Sequence, residues 1–169
     1  MKIYLIGYMG SGKSRFGRKL AHRLGYDFID LDDLFEERFK ISILDFFNKY
    51  NENDFRKMEN ELLEETFQLD RTVVSTGGGT PCFFDNMQKI RQHGTSIYLK
   101  LPPEMLIARL KTVKKKRPLL QKKSPVEMEL FVKEQLKQRE HFYMQADFTI
   151  DVPNLNFPSV VALLEPLMH

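Results

Sequence analysis

The stretch Lys2-Ile3-Tyr4-Leu5-Ile6-Gly7-Tyr8-Met9-Gly10-Ser11-Gly12-Lys13-Ser14 decides the fold. Its first five residues form an apolar run of strand character. The next eight spell G-x-x-x-x-G-K-[ST], and a helical pattern begins directly after them. Strand, glycine loop and helix in this order form the context in which such an octapeptide cradles phosphates. Glycines at 7, 10 and 12 let the backbone take positive φ and point successive N–H groups inward. The following helix adds the positive end of its dipole. Lys13 is placed to reach the β- and γ-phosphates, and Ser14 to offer its hydroxyl to a magnesium ion. One half of the chemistry is therefore a nucleotide held with magnesium.

Working outward, strand-like segments alternate with helical ones. Strands are predicted at 2–6, 27–30, 72–76, 96–101 and 147–151, and helices at 13–24, 33–38, 43–50, 54–69, 83–92, 103–112, 125–145 and 158–167. Gly25 suits a helix C-terminus, and Pro102-Pro103 suits a strand exit leading into a helix. The alternation predicts an α/β fold: a five-stranded parallel sheet covered by helices on both faces, in three α/β/α layers. Ligands of such sheets bind beyond the carboxyl ends of the strands. Two stretches interrupt the rhythm. Residues 31–70 are nearly all helical and read as a substrate-binding insertion; residues 113–124 form a basic loop with the composition of a mobile lid.

The 169 residues suit one domain spanning 1–169. Lys plus Arg number 26 and Asp plus Glu 23, a net charge of +3. That mild excess does not call for nucleic acid and fits a protein holding small anions. Runs of 18 apolar residues are absent, as is a signal-peptide layout, so the expectation is a cytoplasmic chain with no membrane span. Cys82 is single, and His22, His93, His141 and His169 are scattered without metal-ligand spacing. Without heptads or an apolar surface stripe, a monomer is expected.

Four further places carry chemistry. The second strand ends Asp30-Leu31-Asp32-Asp33. Read as strand residues, Asp30 and Asp32 share one face; one can serve the magnesium shell and the other an attacking hydroxyl, while Asp33 is read as the cap of the next helix. The third strand exits through Gly77-Gly78-Gly79, where a ligand would touch backbone. Arg56 and Glu59 stand three apart on a helix and are expected to pair, giving a pre-oriented fork for a carboxylate. Within the basic loop, Lys114, Lys115 and Lys116 read as a solvated run. Arg117 reads as a phosphate ligand, because Pro118-Leu119-Leu120 can anchor it. Arg139, alone, reads as a surface charge.

In this order the loop, Asp30-Leu31-Asp32, Phe55-Arg56-x-x-Glu59, Gly77-Gly78-Gly79, Arg117-Pro-Leu-Leu and Arg139 resemble the shikimate kinase family of P-loop kinases along the whole chain. The resemblance implies transfer of a phosphoryl group from ATP to the 3-hydroxyl of shikimate, with Mg2+ as cofactor. It places shikimate on Asp32, Arg56, Gly78, Gly79 and Arg139, with Glu59 orienting Arg56. It places ATP on Gly10, Ser11, Gly12, Lys13, Ser14 and Arg15, with Arg109 and Asn156 near adenine and Arg117 closing from the lid. Ser14 and Asp30, the latter through water, serve the metal. Lys13, Arg117 and Asp32 are the catalytic set, with Asp32 the candidate base.

Arg15 departs from the family pattern, which has threonine there. Rival readings are a gluconate kinase, which needs no grip for a ring carboxylate, and a nucleoside monophosphate kinase, which needs a base-reading pocket. A non-catalytic nucleotide-binding module is opposed by the intact Lys13, Ser14, Asp30 and Asp32. A GTPase switch would need Asn-Lys-x-Asp after a late strand; Asn48-Lys49-Tyr50-Asn51 lacks the aspartate.

Overall fold

β1 (Lys2–Ile6) is enclosed on both sides, with Ile3, Tyr4, Leu5 and Ile6 all buried. A strand of this kind belongs at the centre of a covered parallel sheet. The computed structural model, which describes residues 1–112, 118–120 and 122–167, places it there. Besides β1 the sheet contains β2 (Asp27–Asp30), β3 (Thr72–Ser75), β4 (Thr95–Lys100) and β5 (Phe148–Asp151). Its order is β2-β3-β1-β4-β5, with every pairing parallel and Ile3 set between Val73 and Thr95.

The described helices are α1 (Lys13–Leu24), α2 (Leu31–Phe39), α3 (Ile43–Lys49), α4 (Glu52–Glu65), α5 (Asn86–His93), α6 (Pro103–Thr112), α7 (Pro125–Tyr143) and α8 (Phe157–Leu164). The two-residue period of the strands sorts them into layers. Ile3, Leu5, Val73, Ile97 and Leu99 face α1 and α8. On the opposite face Tyr4 and Val74 pack under α2 and α4, and Ile6 and Tyr98 under α6 and α7. This is the three-layer α/β/α arrangement expected. Among the described residues no helix is long and apolar enough to cross a membrane.

Local signals set most boundaries. Gly25 closes α1 in the left-handed conformation. Ser124 and Glu127 form a reciprocal capping box ahead of Pro125 at the start of α7. Several boundaries differ from expectation, most instructively in α4, α5 and α2. α4 starts at Glu52 because Asn51 caps it through the Asp54 N–H, and it ends at Glu65, with a 3-10 turn over Thr66–Gln68. α5 starts only at Asn86, since Phe84 and Asp85 hold φ of 49° and 55° after a 3-10 turn at Thr80–Cys82. α2 starts at Leu31, which bears on the site.

The strand order reverses around β1, with β3 on one side and β4 on the other. The crevice beyond the carboxyl ends therefore opens where Gly7–Ser14 leaves β1 and the glycine run leaves β3.

Candidate active site

Gly10 and Gly12 hold φ of 83° and 95°, a conformation that side-chain-bearing residues rarely adopt. Lys13 is buried at the loop's inner side, its Nζ donating to the carbonyls of Gly7 (2.7 Å) and Tyr8 (3.0 Å). Arg109, from α6, donates to the carbonyls of Gly10 and Ser11, each at 3.3 Å. It braces the loop from outside while lining the same cleft.

The Ser14 hydroxyl donates to Asp30 Oδ2. The other oxygen of Asp30 accepts from the N–H groups of Asp32 (3.0 Å) and Asp33 (3.4 Å) and so caps α2. The expected cap, Asp33, is displaced from that role; it pairs with Arg18 on the surface at 3.3 Å. Asp32 is likewise not a strand residue sharing a face with Asp30. It lies in the first turn of α2, one turn before Glu36. The physical reason is that an aspartate ending a strand reaches the second and third N–H groups of a helix, so α2 begins as soon as β2 ends.

Arg56 and Glu59 pair as expected, Nη1 to Oε1 at 2.8 Å, and both are nearly inaccessible to solvent. Glu52, one turn earlier, accepts from Arg56 Nε (3.3 Å) and Nη2 (3.1 Å). Burial opposes the guanidinium's charge, but the charges and hydrogen bonds of Glu59 and Glu52 outweigh it and raise the Arg56 pKa above its ordinary value. The Phe83 ring lies beneath it at 4.5 Å. Arg139 is buried too, over the Tyr8 ring at 5.7 Å, contrary to its reading as a surface charge. One turn further along α7, Tyr143 donates to the Gly78 carbonyl.

Two clefts meet here. One, of about 660 Å³, is lined by Gly10 to Phe16, Asp30 and Arg109; the other, of about 480 Å³, by Arg56, Glu59, Gly77, Gly79 and Arg139. Met9, Asp32 and Gly78 line both. A nucleotide on the loop and a small anion on the two arginines would thus face each other across Asp32.

The family model for shikimate kinase matches residues 9–162. The chain belongs to the shikimate kinase family. It is 42% identical to a curated shikimate kinase of Azobacteroides pseudotrichonymphae genomovar. CFP2 over 166 residues, 98% of either chain. Among solved structures it is similar to the shikimate kinase of Bacteroides thetaiotaomicron (37% identity, TM-score 0.89, 99% of this chain and 98% of that one). It is also similar to the shikimate kinase of Acinetobacter baumannii in complex with shikimate (34% identity, TM-score 0.83, 99% and 90%). A gluconokinase of Sinorhizobium meliloti 1021, at 18% identity and a TM-score of 0.58, shares the fold alone.

Relative to this family pattern, the site holds together most of the expected residues. Arg15 is exposed on α1 at the lining of the nucleotide cleft. Asn156 is not among the lining residues: it is exposed, and its amide oxygen caps α8 by accepting from the Ser159 N–H at 3.2 Å. Leu155 and Phe157 on either side of it, with Val152, form that wall instead, and Lys19 Nζ lies 4.1 Å over the Phe157 ring. Arg117 lies outside the described residues. Sequence reasoning missed the apolar wall of the acceptor cleft on α3, Ile43, Leu44 and Phe47, whose helical spacing reads as ordinary core. It also missed Glu52, although its i,i+4 spacing to Arg56 was a usable signal.

Proposed function

We propose that the chain transfers the γ-phosphoryl group of ATP to the 3-hydroxyl of shikimate, giving shikimate 3-phosphate and ADP for aromatic amino acid synthesis. One observation carries the reading: Asp32 and Gly78 line the cleft of the phosphate loop and the cleft of the two buried arginines alike. The acceptor's carboxylate lies on Arg56 and Arg139, and the backbone of Gly78 and Gly79 closes over its ring. Asp32 meets the ring hydroxyl that attacks and receives its proton. Residues 31–70 form the substrate-binding insertion of a single domain; the lid expected at 113–124 lies partly outside the described residues.

ATP lies along Gly10 to Arg15, with Arg109 behind the loop. Little covalent work falls on the protein, so Lys13 and Arg117 act by stabilising charge on the moving phosphoryl group. Closure over the site keeps water from taking the acceptor's place. The residues present fit magnesium. Ser14 and Asp30 offer hard oxygen donors in direct contact, and the described residues contain no group of three or more His, Cys, Asp or Glu that could cage an ion. That matches a cation that keeps waters and phosphate oxygens as its main shell. When bound, magnesium neutralises charge on the β- and γ-phosphates. The chain is read as acting as a monomer, and the ATP requirement supports a cytoplasmic setting.

The test is a coupled ADP-release assay with Mg-ATP and a panel of hydroxylated acids. ADP should appear in step with shikimate and not with gluconate. Equal ADP release without an acceptor, or none with shikimate, refutes the proposal.

A further inference from the structure

We propose that Thr80 is a positioning residue for the acceptor: its hydroxyl fixes Glu59, and Glu59 fixes the Arg56 guanidinium at the angle a carboxylate needs. The inference rests on the acceptor site described above. Thr80 Oγ1 donates to Glu59 Oε2 at 2.8 Å, and Glu59 Oε1 accepts from Arg56 Nη1 at 2.8 Å. Thr80 is 0% exposed, Glu59 4% and Arg56 5%, so water competes with neither link.

Thr80 is itself held at three points. Its N–H donates to the Gly77 carbonyl at 3.2 Å, its hydroxyl meets Glu59, and its carbonyl accepts from Asn86 Nδ2 at 2.9 Å, Asn86 being 1% exposed. It stands as a fixed post at the end of the glycine run. Arg56 has five N–H donors. Nε and Nη2 each donate to Glu52 Oε1, and Nη1 donates to Glu59. One N–H on each terminal nitrogen is left to meet a bidentate anion, and their direction is set by which partner dominates. The Glu52 side chain is 46% exposed, so its pull on the fork is screened; Glu59, at 5%, is the firm anchor. Removing the Thr80 hydroxyl leaves a buried carboxylate oxygen without this donor. Glu59 then turns to find another, and the fork follows it.

Shikimate binding is measured by calorimetry on the full chain and on Thr80→Ser and Thr80→Val, with binding of a non-hydrolysable ATP analogue as reference. Thr80→Val should weaken shikimate about tenfold, the low end for losing a hydrogen bond to a charged group. Thr80→Ser, which keeps the hydroxyl, should stay within about twofold of the parent, well inside the same range. Nucleotide affinity should not move, a split that general loosening of the fold would not produce. Shikimate binding by Thr80→Val equal to that of the parent, or an equal loss of both ligands, overturns the inference while the proposed function stands. Failure of the parent to bind shikimate overturns both. Should Thr80→Val not fold, Thr80→Ala gives the same comparison without the added methyl.

Discussion

Gly79→Ala separates crowding from backbone strain at the acceptor site. Gly79 holds φ −92° and ψ −14°, a conformation open to alanine, so the substitution introduces no dihedral penalty. A Cβ there would stand 2.4 Å from Arg56 Nη2 and 2.6 Å from its Cζ and Nη1. A free arginine tip would move aside. This one is tied to Glu52 and Glu59 and lies on the Phe83 ring, so displacement breaks charge-assisted bonds. Overpacking of this kind costs about 1–3 kcal/mol of stability. The larger effect falls on binding. A hydrogen bond to a charged group contributes about 1.5–3 kcal/mol, so losing one arginine contact to the acceptor weakens it roughly 10- to 100-fold. Steady-state kinetics should show KM for shikimate rising by that factor with KM for ATP within about twofold, well under the effect of one such bond. Gly25→Ala is the control: there φ is +66° and the nearest atom 3.8 Å away, so it carries backbone strain without crowding and should cost stability only. Gly79→Ala with unchanged KM for shikimate would refute the claim that the fork is fixed in place.

Asp32→Asn keeps the shape of the junction and removes the base, so kcat should fall by at least ~10²-fold; a near-normal rate leaves Asp32 a positioning role only. Asp30→Asn retains a side-chain oxygen to cap α2 but removes charge beside Ser14. The magnesium concentration for half-maximal rate should rise about tenfold, as for other groups just outside a metal's ligands, and an unchanged titration would separate Asp30 from the ion. Burial pushes the Cys82 thiol up to about 11 and, against the opposing charge of Arg139, the Tyr8 phenol up to about 12. Both groups hold their proton more tightly folded than unfolded. Their stabilising contribution is therefore complete below the unfolded values of 9.0 and 10.0 and is lost as pH rises through the folded ones. The melting temperature should fall from pH 9 upward, and iodoacetamide at pH 8 should label Cys82 roughly 10²-fold more slowly in the folded chain than in urea, following its thiolate fraction. Labelling at equal rates would contradict the burial of the thiol.

How much was legible in the chain follows from how local each determinant is. The phosphate loop and β1 were readable in full, because contiguous residues perform the whole task. The layers were readable because strand periodicity sorts Ile3 and Leu5 from Tyr4 and Ile6 without knowledge of their partners. Asp30 was half readable. Its service to the metal beside Ser14 was expected, but three aspartates within four residues could cap the helix, and the earliest took the role expected of Asp33. The link from Thr80 to Glu59 joins residues 21 apart in different elements, and no spacing rule reaches across that distance.

The glycine run shows why such links matter. Three glycines at a strand exit read as backbone freedom for touching a ligand, yet Gly77, Gly78 and Gly79 are absent from the positive-φ residues of the chain. Conformation does not demand them; space does, and each answers to a different neighbour. A Cβ on Gly77 would lie 2.6 Å from Glu59 Oε2 and 2.8 Å from Thr80 Oγ1, inside the link that orients Arg56. One on Gly78 would press on the Met9 backbone nitrogen at 3.1 Å, where the phosphate loop passes. One on Gly79 would strike the guanidinium itself. The run is therefore a packing joint between donor and acceptor halves, which predicts that alanine at 77 or 79 disturbs shikimate and alanine at 78 disturbs the approach of the phosphate loop.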